Sequence, residues 1–298
     1  MKRRIVQIIA TLISNSHLAG FWQGTIYRGK MKYLCVPGLN CYSCPGAVGS
    51  CPLGALQAVL GSAKYLMSFY VVGLLTFFGT LLGRFICGWL CPFGFLQELL
   101  YKIKTRKITL PAKIDRPLRL LKYVILLLLV ILLPLTLTNQ FGNASPYFCQ
   151  WLCPAGTLEG GIPLLLSNEG LRRMIGFLFG WKMLLLLLTV GGALLIYRFF
   201  CKYLCPLGAI YSFFNRISFF AHLNIDHAKC TGCNTCTNAC PMQVPVWENP
   251  NHRECIRCGA CIKKCPHEAL SFTWWATDAI AGKRNNAPDS KKETATTI

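Results

Sequence analysis

The chain has 298 residues, 53% of them apolar, and 31 Lys and Arg against 11 Asp and Glu give a formal net charge of +20. That balance excludes a disordered chain and an ordinary soluble protein. Its 18 cysteines stand in clusters along a long apolar chain, which excludes a small secreted disulfide scaffold and points to metal or cluster binding.

Crossing a bilayer takes roughly 20 apolar residues, and four stretches approach that length. The first runs from Ile5 to Trp22. It follows MKRR and contains Gln7, Ser14, Asn15 and His17, so a cleaved signal peptide competes with it, but no small-residue cleavage site stands out. Cys35 and the run GLNCYSCPGAVGSC, with Cys41, Cys44 and Cys51, come next. The second stretch, Tyr65 to Leu82, leads into RFICGWLCPFG, residues 84–94. A basic loop follows, with Lys102, Lys104, Arg106, Lys107, Lys113, Arg116, Arg119 and Lys122. The third stretch is Leu120 to Leu137, where Pro134 is tolerated as a kink near one end. Cys149 and Cys153 precede the fourth, Met183 to Tyr197, which ends in RFFCKYLCPLG, residues 198–208. Because Lys and Arg accumulate in cytoplasmic loops, both termini are expected inside a multi-pass inner-membrane protein. Residues 23–64 and 138–182 would then lie outside. The charge sits beside apolar spans, so anionic lipid rather than nucleic acid is the expected partner.

Segments 84–94 and 198–208 share Arg, Phe, Cys, Leu, Cys, Pro and Gly in register, and Cys51-Pro-Leu-Gly-Ala-Leu-Gln pairs more loosely with Cys153-Pro-Ala-Gly-Thr-Leu-Glu. Each half reads motif, span, motif, span, a parallel repeat about an axis along the membrane normal. The expected fold is therefore an all-α membrane domain of about four helices in two parallel pseudo-repeats, residues 1–222. A spanning helix separates its ends by about 30 Å, so ligands at opposite ends are not expected to share a centre. Cys87, Cys91, Cys201 and Cys205 would form one [4Fe-4S] site at the cytoplasmic face. Cys149, Cys153 and Cys51, with either Cys44 or Cys41, would form another at the outer face. Cys44 is taken as the fourth ligand, leaving Cys35 and Cys41 for an outward disulfide. Proline in the first helical turn places the last cysteine of each motif at a helix N-cap, where exposed N–H groups stabilise thiolate charge. Arg84 and Arg198 would offset cluster charge, or else snorkel to lipid headgroups.

Residues 230–266 contain C-x2-C-x2-C-x3-C-P twice. Two zinc sites would need only paired cysteines at looser spacing. The run resembles bacterial two-cluster ferredoxins, a small α+β fold expected over residues 223–275. The resemblance implies Cys230, Cys233, Cys236 and Cys265 on one cluster and Cys240, Cys255, Cys258 and Cys261 on the other. Residues 276–298 have almost nothing to bury and are expected to be a disordered tail.

Several spans with CxxxCP turns followed by a two-cluster ferredoxin resemble the membrane-bound polyferredoxin family of NapH and NosR type. The strongest matches are Cys87 to Gly94, Cys201 to Gly208 and the eight ferredoxin cysteines. The resemblance implies an electron-transfer subunit of an oxidoreductase complex in anaerobic respiration, working between the quinol pool or cytoplasmic carriers and an extracytoplasmic redox partner. The rich outer cysteines, Cys35 to Cys51 and Cys149 to Cys153, depart from a simple quinol dehydrogenase. They favour four [4Fe-4S] clusters conducting electrons from the cytoplasmic ferredoxin domain to an external acceptor such as a flavin-bearing partner, with a cytoplasmic ferredoxin as possible donor. Two other readings compete. A quinol dehydrogenase would bind quinone and draw on His17, Glu98 or Glu159 as proton acceptors; a redox sensor or maturation factor would use the clusters for signalling.

Overall fold

The computed structural model describes residues 2–62, 68–137 and 144–273. Residues 63–67, which include the start of the second predicted span, and 274–298, which include the predicted tail, lie outside the described residues. Helices dominate, and one two-stranded sheet forms near the carboxy end.

Four helices run through one body: Lys2–Ser14, Ser68–Leu82, Ala112–Thr136 and Phe177–Leu195. The last two are long and apolar enough to cross a bilayer, at 25 and 19 residues, whereas Phe69–Leu82 is shorter. The first predicted span is not one helix. Ser14 and Asn15 turn their side chains back onto the carbonyls of Ala10 and Thr11. The chain then leaves the helix, the His17 N–H bonding the Gly46 carbonyl, and resumes as the short helix Ala19–Gln23. The polar run competes with the backbone ladder and breaks it.

Apolar side chains face outward from the helices as well as inward. Ile5, Ile8, Ile9, Leu12 and Ile13 on the first helix and Leu184, Leu187 and Leu188 on the last are exposed, while Gln7 is buried. The interior holds Arg84, Arg198 and Lys122, each 0% exposed. Charged groups are almost never fully buried unless paired, and contiguous exposed apolar surface marks contact with lipid or protein.

Shorter helices fill the body. Phe85–Trp89, Tyr147–Trp151 and Phe199–Tyr203 carry Cys87, Cys149 and Cys201. Each is closed in the same way: the N–H of Cys91, Cys153 and Cys205 bonds the carbonyl five residues back, on Ile86, Phe148 and Phe200. After each closing cysteine a proline starts another helix, giving Pro92–Tyr101 and Pro206–Phe214. The helical stretch Gly156–Ser167 follows Cys153, and Pro52–Leu60 follows Cys51. Cys51, Cys91 and Cys205 stand at N-caps in extended conformation, as proline at the first helical position dictates.

The ferredoxin unit is clasped by β1 (His222–Ile225) pairing antiparallel with β2 (Leu270–Thr273), His222 opposite Thr273 and Ile225 opposite Leu270. This matches the small α+β fold expected. It docks on the first CxxxCP turn through Gly88. A Cβ built there would lie 2.2 Å from the Ile256 carbonyl oxygen, and Trp89 Nε1 donates to the Arg257 carbonyl at 2.9 Å. The equivalent residue in the last repeat is Lys202, whose Nζ reaches Gln243 Oε1 at 2.6 Å. The docking is therefore asymmetric although the two turns are alike. Gly88→Val must force the two surfaces apart, at a cost of about 1–3 kcal/mol. Thermal unfolding of the purified protein is expected to show a lower midpoint with the ferredoxin iron retained.

Candidate metal centres

Four cavities are each bounded by four thiols. In the ferredoxin unit, one is lined by Cys230, Cys233, Cys236 and Cys265 and its neighbour by Cys240, Cys255, Cys258 and Cys261. Within the helical body, a third is lined by Cys87, Cys91, Cys201 and Cys205 and a fourth by Cys41, Cys51, Cys149 and Cys153. Among the described residues no group of three or more His, Cys, Asp or Glu is arranged to hold a single metal ion. Four thiols spread around a cavity suit an iron-sulfur cube, in which each sulfur takes a different iron, better than a tetrahedral zinc. Burial pushes the Cys255 and Cys261 thiols up to about 12, so coordination is what would hold them as thiolates.

The third cavity has an internal two-fold relation. Arg84 Nη2 lies 3.4 Å from the Cys201 carbonyl, and Arg198 Nη1 donates to the Cys87 carbonyl, so each arginine reaches across to the other motif. The missing Cβ atoms of Gly94 and Gly208 make room for this. A Cβ at Gly94 would stand 3.2 Å from Arg198 Nη1, and one at Gly208 would stand 3.5 Å from Arg84 Nη2. Being fully buried, neither arginine snorkels. Arg198 is paired with Glu98 at 2.7 Å, and Glu98 also takes Arg3. Arg84 is paired with Glu254 at 2.5 Å, and Lys122 reaches the other oxygen of the same carboxylate at 2.5 Å. Burial alone would raise the Glu254 pKa, but the two cations hold its carboxyl down at about 2.

The fourth cavity repeats the relation with different residues. A Cβ on Gly54 would face Cys149 Sγ at 3.9 Å, and one on Gly156 would face Cys41 Sγ at 3.8 Å. Cys41 thus occupies the place equivalent to Cys149. Cys44 does not line this cavity, and its Sγ lies 3.7 Å from Asn15 Oδ1. Cys35 and Cys41 are free thiols, so the expected disulfide does not form.

The third and fourth cavities adjoin each other. The Leu39 N–H donates to Cys91 Sγ at 3.4 Å, and the N–H of the next residue, Asn40, faces the Cys51 sulfur. Leu39 lines both cavities, and the Tyr211 hydroxyl donates to the Pro37 carbonyl at 2.8 Å. The expected separation of the two sites by the length of a spanning helix is corrected for a physical reason. The cysteines sit on short Cys-Pro helices and a loop folded into the body, so the length of a spanning helix does not separate them.

Gln57, Gln97, Glu159 and Tyr211 stand six places after the four Cys-Pro cysteines, and of these the sequence gives a role only to Glu159, as a candidate proton acceptor. The structure turns the first three toward the opposing motif. Gln97 Oε1 accepts from the Phe200 N–H at 3.0 Å, and its Nε2 lies 3.1 Å from Cys201 Sγ. Gln57 Oε1 accepts from the Phe148 N–H at 2.9 Å, and its Nε2 lies 3.3 Å from Cys149 Sγ. Glu159 accepts from the Cys41 N–H at 2.7 Å. The repeated spacing was the signal available. His17, Glu98 and Glu159, the candidate quinone residues, each engage a different partner: His17 Nδ1 lies 3.0 Å from the Pro45 carbonyl, Glu98 is paired with Arg198 and Arg3, and Glu159 holds Cys41.

A family described as "4Fe-4S binding domain" matches residues 63–111, 121–167 and 178–223. A second, "4Fe-4S dicluster domain", matches residues 222–266. Each of the three matches of the first contains one CxxxCP turn. Among curated proteins, the chain is 34% identical over 173 residues to MJ0749 of Methanocaldococcus jannaschii, covering 56% of this chain and 54% of that one. It is 32% identical over 200 residues to MJ0750 of the same organism, covering 65% and 74%. To the ferredoxin-type protein NapH of Haemophilus influenzae it is 30% identical over 166 residues, covering 55% and 50%. The chain therefore spans about half the length of the first and third of these relatives. No solved structure matches it. With thiol-lined cavities in both the ferredoxin unit and the helical body, and with relatives covered to this extent, the chain belongs to the polyferredoxin family of NapH and NosR type and is an iron-sulfur electron-transfer protein.

Proposed function

We propose that the chain is a membrane-embedded electron conduit with four [4Fe-4S] sites in file. The supporting observation is the continuity of the four thiol-lined cavities. Cys233 is exposed at one end. The helix Thr235–Asn238 connects the two ferredoxin cavities, Ile256 meets Gly88 between the second and third, and the Leu39–Asn40 amides join the third to the fourth. Clusters bound there would supply one-electron acceptors and donors. The chain's own residues hold the thiols, exclude water from the embedded pair, and compensate buried charge with Arg84, Arg198, Glu254 and Glu98.

The exposed apolar faces of the helices take lipid, and the basic residues from Lys102 to Arg119, in the loop and the start of the helix after it, support a cytoplasmic position for the ferredoxin unit at the inner membrane. Electrons pass between a cytoplasmic carrier and an extracytoplasmic redox partner. The fourth site uses Cys41, Cys51, Cys149 and Cys153, with Cys41 in the role that the sequence assigned to Cys44.

Iron and sulfide analysis of anaerobically purified protein tests this reading. Four cubes give about 16 Fe per chain; about 8 would leave only the ferredoxin unit occupied and overturn it. Cys41→Ser is expected to lose about 4 Fe and Cys44→Ser none, and the reverse result would restore Cys44 as the ligand.

A further inference from the structure

We propose that Gln97 and Gln57 are paired tuning residues, one for each embedded centre, each donating its side-chain amide N–H to a ligand sulfur and raising that centre's reduction potential. The proposal rests on the cluster assignment above.

The amide orientation is fixed by chemistry. The N–H groups of Phe200 and Phe148 can only donate, so the oxygen of each glutamine must face them, at 3.0 and 2.9 Å. That leaves the amide nitrogen facing Cys201 Sγ at 3.1 Å and Cys149 Sγ at 3.3 Å. Gln97 is 1% exposed and Gln57 0%, so water does not compete for either donor. The backbone bond orients each side chain, and it comes from the residue just before the cysteine whose sulfur receives the amide. Both glutamines stand six residues after a Cys-Pro cysteine, yet the other two residues at that spacing do not supply an amide. Glu159 uses a carboxylate oxygen to accept from the Cys41 N–H, and Tyr211 gives its hydroxyl to the Pro37 carbonyl. Each embedded centre therefore has one side-chain amide donor, aimed at one of its four sulfurs and supplied by the opposing motif.

Reduction adds one electron and so one negative charge to a cluster, and a donor aimed at sulfur stabilises that charge. A hydrogen bond to a charged group contributes enough to change the reduction equilibrium about tenfold, which is about 59 mV for one electron.

The test is a redox titration followed by EPR on the full-length protein, with the embedded signals assigned by their loss in Cys201→Ser and Cys149→Ser. Gln97→Leu should make the centre holding Cys201 about tenfold harder to reduce and leave the other unmoved; Gln57→Leu should do the converse. An unmoved potential, or equal shifts in both centres, overturns the proposal. If a leucine variant loses its cluster, pulsed EPR of the wild-type protein carrying 15N in the glutamine side-chain amides decides. A nitrogen coupling at each embedded centre sustains the proposal, and its absence overturns it. Absence of embedded signals together with about 8 Fe in the wild type overturns the cluster assignment instead, which separates the two failures.

Discussion

Cys201→Ser is expected to abolish electron flow across a proteoliposome membrane while leaving the ferredoxin EPR signals unchanged. Cys201 is buried, its sulfur receives the Gln97 amide, and its carbonyl lies 3.4 Å from Arg84; in the proposed conduit it holds the third of four sites in file. The third site has a neighbour on either side, so losing it interrupts the row of thiol-lined cavities. The ferredoxin cysteines lie on the other side of the Gly88–Ile256 contact and keep their own ligands. The assay places a reduced dye inside and an oxidised acceptor outside, with no quinone added. Full activity in Cys201→Ser would remove the third site from the path, and a wild-type rate that depends on added quinone would favour a quinol dehydrogenase.

The second large effect concerns stability. Glu254 is 4% exposed and sits between Arg84 and Lys122, both at 0%. It comes from the ferredoxin unit and they come from the helical body, so this triad bolts one to the other. Glu254→Ala leaves two desolvated cations without a counter-charge, and breaking such a buried pair costs about 3–5 kcal/mol. The expected outcome is a markedly lower unfolding midpoint in detergent, with partial rescue in the double variant Glu254→Ala/Lys122→Met, which removes one of the stranded charges. An unchanged midpoint in Glu254→Ala would mean that the triad contributes nothing to docking.

The ferredoxin unit was legible because its eight cysteines stand in two runs of the bacterial ferredoxin pattern, and the crossed grouping that this resemblance implies is the one the two cavities have. Which motifs meet was legible for the third cavity through the shared RF-x-C-x-x-L-C-P-x-G pattern, and for the fourth only through the looser likeness of the Cys51 and Cys153 segments. Depth was not legible. Hydropathy reads Pro52–Leu60 or Pro206–Phe214 as a stretch of apolar chain and carries no information that a nine-residue helix turns back into the body. Nor could spacing choose between Cys41 and Cys44, because the first copy lacks the five-residue helix that presents Cys87, Cys149 and Cys201. The choice rests on the approach of Gly156 to Cys41. Gln57 and Gln97 were passed over because a glutamine two turns into a helix has no signature until its partner across the repeat is known.

A density map of anaerobically purified protein, with iron located by its anomalous scattering, decides whether the conduit exists. Four iron-rich peaks in file are expected, the last held by Cys41, Cys51, Cys149 and Cys153. Iron confined to the ferredoxin unit, with bare thiols at Cys87, Cys91, Cys201 and Cys205, would contradict it.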